Sequence, residues 1–197
     1  MSKQRAFTLI ELIVTVAIAG MLLALAAPSM REVILSNQMA SRTNELIADL
    51  NFARAQAVAY TQPTSLCWSG NPDAETPTCG GTGGWQTGWL VFLDADADGD
   101  IEADDALIDR DLSGGISIAD ALLRRHSSRS NIGEIDLTGN TNVADRVTFL
   151  ANGLSSTTGT ITVCDDRKDV NAARSVVISR GGRVRMTKSA LCSLLGL

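Results

Sequence analysis

The segment FTLIELIVTVAIAGMLLALAA, Phe7 to Ala27, sets the terms for how this chain folds. It is apolar almost throughout and holds one charge, Glu11. At a rise of about 1.5 Å per residue, such a helix reaches roughly 30 Å, the depth of a bilayer's hydrocarbon core. Lys3 and Arg5 precede the run, so charge bias places the N-terminus in the cytoplasm and everything beyond Pro28 outside. A secretory signal peptide is also basic first and apolar after. Against that reading, the run is long for an h-region, residues 36–40 are a poor place for a cleavage box, and an acid opens the apolar stretch. Glu11 therefore needs an explanation. A carboxylate in lipid is tolerated where it reaches the wet interface or finds a partner.

The order Ala6-Phe7-Thr8-Leu9-Ile10-Glu11-Leu12 resembles the class III signal of type IV pilins and type II secretion pseudopilins. In that family a short basic leader and a small residue precede FTLIEL and an apolar helix. The resemblance implies cleavage by prepilin peptidase between Ala6 and Phe7, and methylation of the new Phe7 amine. It also implies that Glu11 pairs with the N-terminal amine of a neighbouring subunit in a filament. The family usually has Gly where Ala6 stands; Ala is the mildest replacement. Electrostatics agrees with the role of Glu11, because leaving either member of a carboxylate–ammonium pair alone in a low-dielectric bundle is expensive.

The length suits one membrane helix and one globular domain. The net charge is −5, more negative once Lys3 and Arg5 leave, so the chain has no global attraction to nucleic acid. Four cysteines, Cys67, Cys79, Cys164 and Cys192, fall on the exported side, where an even count points to two disulfides. Four cysteines allow three connectivities. Cys67–Cys79 and Cys164–Cys192 are favoured, since the first closes a short loop and the second tethers the C-terminal tail. Zinc is disfavoured by the lack of a close Cys pair and by a single histidine, His126.

Past the membrane segment the helix continues, with a kink or opening expected at Pro28. Met39, Thr43, Leu46, Leu50, Ala53 and Ala57 recur at spacings of three and four, with Arg42, Glu45, Asp49 and Arg54 between them. This is an amphipathic helix with one face for a globular head, ending near Tyr60 because Gln62-Pro63 disfavours helix. Strands are expected at Thr64–Trp68, Gly88–Leu93, Arg146–Leu150, Thr160–Cys164, Ser175–Ser179 and Arg183–Thr187, with a weaker one at Asn131–Asp136. The last two of the main series form a hairpin across Arg180-Gly181-Gly182. The fold class is α+β: a long N-terminal helix packed on a mostly antiparallel β-sheet head. The divisions are a leader at 1–6, a membrane helix at 7–28, an amphipathic helix at 29–60 and the head at 61–197. Asn51 to Ala57, the order GW-x-VF-x-D from Gly88 to Asp94, and Gly182-Arg183-Val184-Arg185 resemble the minor pilin group of FimT, FimU and pseudopilin H.

Between the strands lies an acidic tract. Asp94, Asp96, Asp98, Asp100, Glu102 and Asp105, with Gly99 at the sixth position and Ile101 at the eighth, match the twelve-residue EF-hand calcium loop. Alternate side chains point inward, so the carboxylates can converge on one cation. A looser copy follows from Asp109 to Asp120. The first loop follows a strand rather than a helix and ends on Asp rather than Glu, so a plain solvated acidic loop is the competing reading. No cofactor is expected unless calcium binds this loop.

The opposite charge collects at the end. Arg174, Arg180, Arg183, Arg185 and Lys188 occur after residue 170 with no acid among them. Period-two alternation puts Arg183 and Arg185 on one face, about 7 Å apart, a spacing that can match successive phosphates. The stretch Gly182-Arg183-Val184-Arg185 resembles the GRxR element of FimT-type minor pilins, which bind DNA, and the equivalent hairpin of FimU and pseudopilin H, which is structural. The competing reading pairs these arginines with the acidic tract or with another subunit.

No GxSxG, HExxH, P-loop or Rossmann fingerprint occurs, and neither Asp165-Asp166 nor His126 has a catalytic setting. No enzymatic activity is expected. The resemblance implies a minor pilin or pseudopilin processed by prepilin peptidase, held in the bacterial inner membrane with its head in the periplasm, and built with other pilins into a pilus or pseudopilus near its tip. A DNA receptor for uptake is the alternative. An exported calcium-binding module with a cleaved signal is a third reading.

Overall fold

The computed structural model describes residues 8–102, 105, 121–127, 135–167, 172–188 and 192, with the backbone alone at 25–29. Helix α1 spans Leu9–Tyr60. Thr8 caps it: its Oγ1 accepts the Glu11 amide at 3.3 Å. The opening expected at Pro28 does not occur, and α1 stays helical through that position. A proline removes one backbone bond, which a helix can absorb while its dihedrals hold. At the far end, Gln62 donates its amide to the Ala57 carbonyl and Thr61 to that of Val58, with Thr61 at φ 55°. That is a Schellman stop built on threonine instead of glycine.

Two compact units divide the chain after Gln38. The first holds the described apolar side chains from Leu9 to Ala24, and these are exposed around the whole helix. Leu9 is 77% exposed and Leu23 70%. Among the described residues no helix is long and apolar enough to cross a membrane. The described apolar side chains stop at Ala24, short of the about 20 residues a crossing takes.

The second unit contains the rest of α1 and eight strands: β1 Thr64–Trp68, β2 Gly88–Leu93, β3 Leu122–Ser127, β4 Ile135–Gly139, β5 Arg146–Phe149, β6 Gly159–Asp165, β7 Arg174–Ile178 and β8 Val184–Lys188. They make two four-stranded sheets, β3-β2-β1-β5 and β4-β6-β7-β8, antiparallel at every pairing. Met39, Thr43, Leu46, Leu50, Ala53 and Ala57, the face expected from spacing, are all buried. Leu46, Leu50, Ala53 and Ala57 share one core with Trp89 and Val91 of β2, Phe149 of β5, and Ile161 and Val176 of the second sheet.

β2 is buried on both faces, which explains its unbroken apolar reading, Trp89 to Leu93. Trp89 and Val91 meet the helix side, while Leu90 and Phe92 join Cys67, Ile101 and Ala121 in a second cluster. Ile101 thereby anchors the acidic loop beneath the first sheet. The favoured cysteine pairing is the one found, Cys67–Cys79 and Cys164–Cys192.

Strand β3 has no counterpart in the sequence reading, because Leu-Leu-Arg-Arg-His-Ser shows no alternation. β4 lies at Ile135–Gly139, not Asn131–Asp136; residues 131–134 fall outside the described residues. Its place is set by pairing with β6, Ile135 opposite Asp165, and not by its own composition.

Candidate functional site

The acidic loop leaves the end of β2. Asp94 is fully buried. The Ser65 hydroxyl donates to its Oδ2 and lies 2.6 Å from the Thr148 hydroxyl. Among the described residues no donor reaches Asp94 Oδ1 in hydrogen-bond geometry. Burial raises the Asp94 carboxyl above its ordinary value, and the Ser65 hydroxyl and the Gly99 amide offset part of that. Ligand oxygens of Asp94, Asp96 and Asp98 lie within 4.8 Å of one another. Gly99 turns the chain at φ 83°, and a Cβ there would strike the Arg146 side chain. Arg146 directs Nη1 at the Asp98 carbonyl, not at a carboxylate.

The other three predicted ligands stand apart from that cluster. Asp100 is exposed, and its amide donates to Asp98 Oδ1 at 2.8 Å. Asp105 braces the loop: its two oxygens accept the amides of Ala95 and Glu102, each at 2.8 Å. Gln62, just past the helix stop, donates to the Asp105 carbonyl at 2.5 Å. Burial pushes the Asp105 carboxyl up to about 6, against the pull of those two amides. The looser acidic repeat, Asp109 to Asp120, lies outside the described residues.

The arginine hairpin is the second candidate. β8 is an edge strand, and Arg180, Arg183, Arg185 and Lys188 are exposed. Among the described residues none of the four forms an ion pair, so the expected pairing with the acidic tract is not seen there. Arg185 sits opposite Val177 in the ladder. Arg183 lies in the turn, one residue before the strand that was expected to contain it. The turn is fastened to α1: Arg54 donates Nε to the Gly153 carbonyl at 2.9 Å and Nη2 to that of Gly181 at 3.2 Å. Gly182, at φ 71°, approaches so closely that a Cβ would lie 2.1 Å from Gly153 O. Sequence reasoning missed Arg54, since a long cation on a helix face reads as solvated.

A polar cluster joining helix to sheet was also missed. Asp49 is buried; it accepts Trp89 Nε1 at 2.8 Å and pairs with Arg124 at 2.5 Å. Arg124 lies 3.8 Å over the Phe52 ring, and His126 stacks on Trp89 at 3.9 Å. His126 Nε2 is 3.2 Å from Glu45 and 3.0 Å from Arg42. His126, which has no catalytic setting in the sequence, is a packing element of this helix–sheet contact.

Glu11, exposed in the first turn of α1, lies within the described residues; Ala6 and Phe7 do not.

Comparison with known proteins bears on both ends of the chain. The prokaryotic N-terminal methylation motif matches residues 1–27, and the family model of the type II transport protein GspH matches residues 42–182. No curated protein sequence matches. Two crystal forms of the type IV minor pilin FimU of Pseudomonas aeruginosa are similar in fold. One is 22% identical over 78% of this chain and 96% of that one, with a TM-score of 0.50. The other is 21% identical over 77% and 98%, with a TM-score of 0.48. With the methylation motif at its start and the GspH model spanning the last part of α1 and strands β1 to β7, this chain belongs to the GspH family of type IV minor pilins and type II pseudopilins.

Proposed function

We propose that this chain is a minor filament subunit, held in the bacterial inner membrane by residues 7–28 with its head in the periplasm, cut between Ala6 and Phe7, methylated at Phe7 and assembled near a filament tip. The observation that carries this is the apolar helix from Leu9 to Ala24, exposed on all sides yet opening on a methylation motif. A helix apolar all round is buried in lipid or among like helices. Its chemistry is assembly, with Glu11 supplying the negative partner for a neighbour's terminal amine. Mass spectrometry of the mature N-terminus tests it: the expected chain begins at methylated Phe7. A chain that begins beyond residue 27 would identify a cleaved signal peptide instead.

The exposed hairpin supports a second reading, DNA binding by Arg180, Arg183, Arg185 and Lys188. The net charge of −5 works against long-range steering, so binding should be weak and steeply salt-dependent. A gel shift of the full chain in detergent, beside the double variant Arg183→Gln/Arg185→Gln, decides it. Loss of binding and a flatter salt dependence in the variant favour DNA; no shift at low salt removes the reading.

A further inference from the structure

We propose that Asp94, Asp96 and Asp98 form a calcium site at the root of the acidic loop. The argument begins with Asp94. A carboxylate oxygen sealed from water and given no donor is costly, because the charged form loses hydration with nothing in return. Asp94 comes close to that position: it is fully buried, Ser65 serves its Oδ2, and among the described residues no donor reaches Oδ1 in hydrogen-bond geometry. Two more carboxylates share its surroundings, with ligand oxygens of all three within 4.8 Å of one another. Oxygens around one calcium ion sit at about 2.3–2.6 Å from it, so opposite ligands are separated by up to roughly 5 Å. The observed spread suits a single ion.

Among the described residues no cation takes the place of a metal. Arg146, which packs against Gly99, gives its guanidinium to the Asp98 carbonyl and pairs with none of the three acids. Bringing three carboxylates together without a counter-charge is repulsive, and a divalent cation relieves most of that. An all-oxygen set on a loop selects a hard cation, and one that accepts irregular geometry, as calcium does and magnesium does not.

The ligand set is narrower than the full twelve-residue pattern. Asp105 spends both oxygens on the amides of Ala95 and Glu102 and is the loop's brace, not a ligand. With three carboxylates and water completing the shell, affinity falls in the range of extracellular calcium modules, about 0.1–1 mM.

The test uses the full chain in detergent, stripped with EDTA and titrated calorimetrically with calcium chloride. One calcium per chain is expected, with a higher melting midpoint at 5 mM calcium (~10 times the middle of that range). Asp96→Asn/Asp98→Asn changes exposed residues only and relieves their mutual repulsion, so its midpoint in EDTA should be at or slightly above the parent's while calcium affinity drops at least tenfold. Absence of both heat and midpoint shift in the parent overturns the proposal. So does calcium binding that survives the double substitution, which would place the ion elsewhere in the chain.

Discussion

At the scale of single residues, buried acids do two different jobs. Asp49 accepts from Trp89 and pairs with Arg124, so it ties β2 and β3 to α1 through one side chain. Asp49→Ala would leave the Trp89 N–H without its acceptor in a core that is closed to water. A loss of about 2–4 kcal/mol is expected in denaturant unfolding. A loss below about 0.5 kcal/mol would mean that the contact contributes nothing. Asp105 acts through its proton. Its folded value, about 6, lies above the ordinary 3.8, because burial disfavours the charged form. The fold therefore holds that proton more tightly than the unfolded chain does. The associated stability is fully present below about pH 4 and is lost as pH rises through about 6. Asp105→Asn removes the effect, so in EDTA the variant should gain on the parent between pH 4 and pH 7, by on the order of 2 kcal/mol. Parallel pH profiles would refute it. Neither role was legible in the sequence: Asp105 reads as a ligand by position and Asp49 as a solvated acid by type, and only the packing around them says otherwise.

Among elements, legibility followed how much each one carries its own signal. β1 and β2 lie where their apolar runs and turn residues place them, and the buried face of α1 repeats at the spacing that the sequence shows. β3 is different. It is an edge strand whose Arg124 and His126 are held by Asp49 and Trp89, partners far away in sequence, and no local pattern encodes that. The β7–β8 hairpin was expected from its glycines, but the reason for one of them was not visible. Gly182 takes φ 71° and touches Gly153 O, while a Cβ on Gly181 would meet nothing within 4 Å. Gly182→Ala should therefore cost about 2 kcal/mol, and Gly181→Ala should stay within about 0.5 kcal/mol of the parent. Equal effects at the two positions would remove this account of the turn. The pair also separates structure from binding in the Gly-Arg-Val-Arg stretch, since both substitutions leave every arginine in place.

For the whole molecule, the decisive question is what Glu11 does, and the structure supplies a rival to assembly. Thr8 caps α1 by accepting the Glu11 amide, and a Thr followed three residues later by Glu is the pattern of a capping box. An assembly defect in an Ala variant could then come from a frayed helix. Glutamine separates the two, because it serves a capping box as well as glutamate does but cannot meet an ammonium with a charge. Leaving a buried terminal amine unpaired costs about 3–5 kcal/mol, a factor of at least about 100 in the filament equilibrium. Glu11→Gln chains should therefore be inserted and processed normally, and be almost absent from sheared filaments when probed against the membrane fraction. Thr8→Ala weakens the cap by about 1 kcal/mol and should leave incorporation within a few-fold of the parent. If Glu11→Gln enters filaments as the parent does while Thr8→Ala fails, Glu11 is a helix-start residue, and the subunit must be held in register by contacts along the rest of its apolar helix.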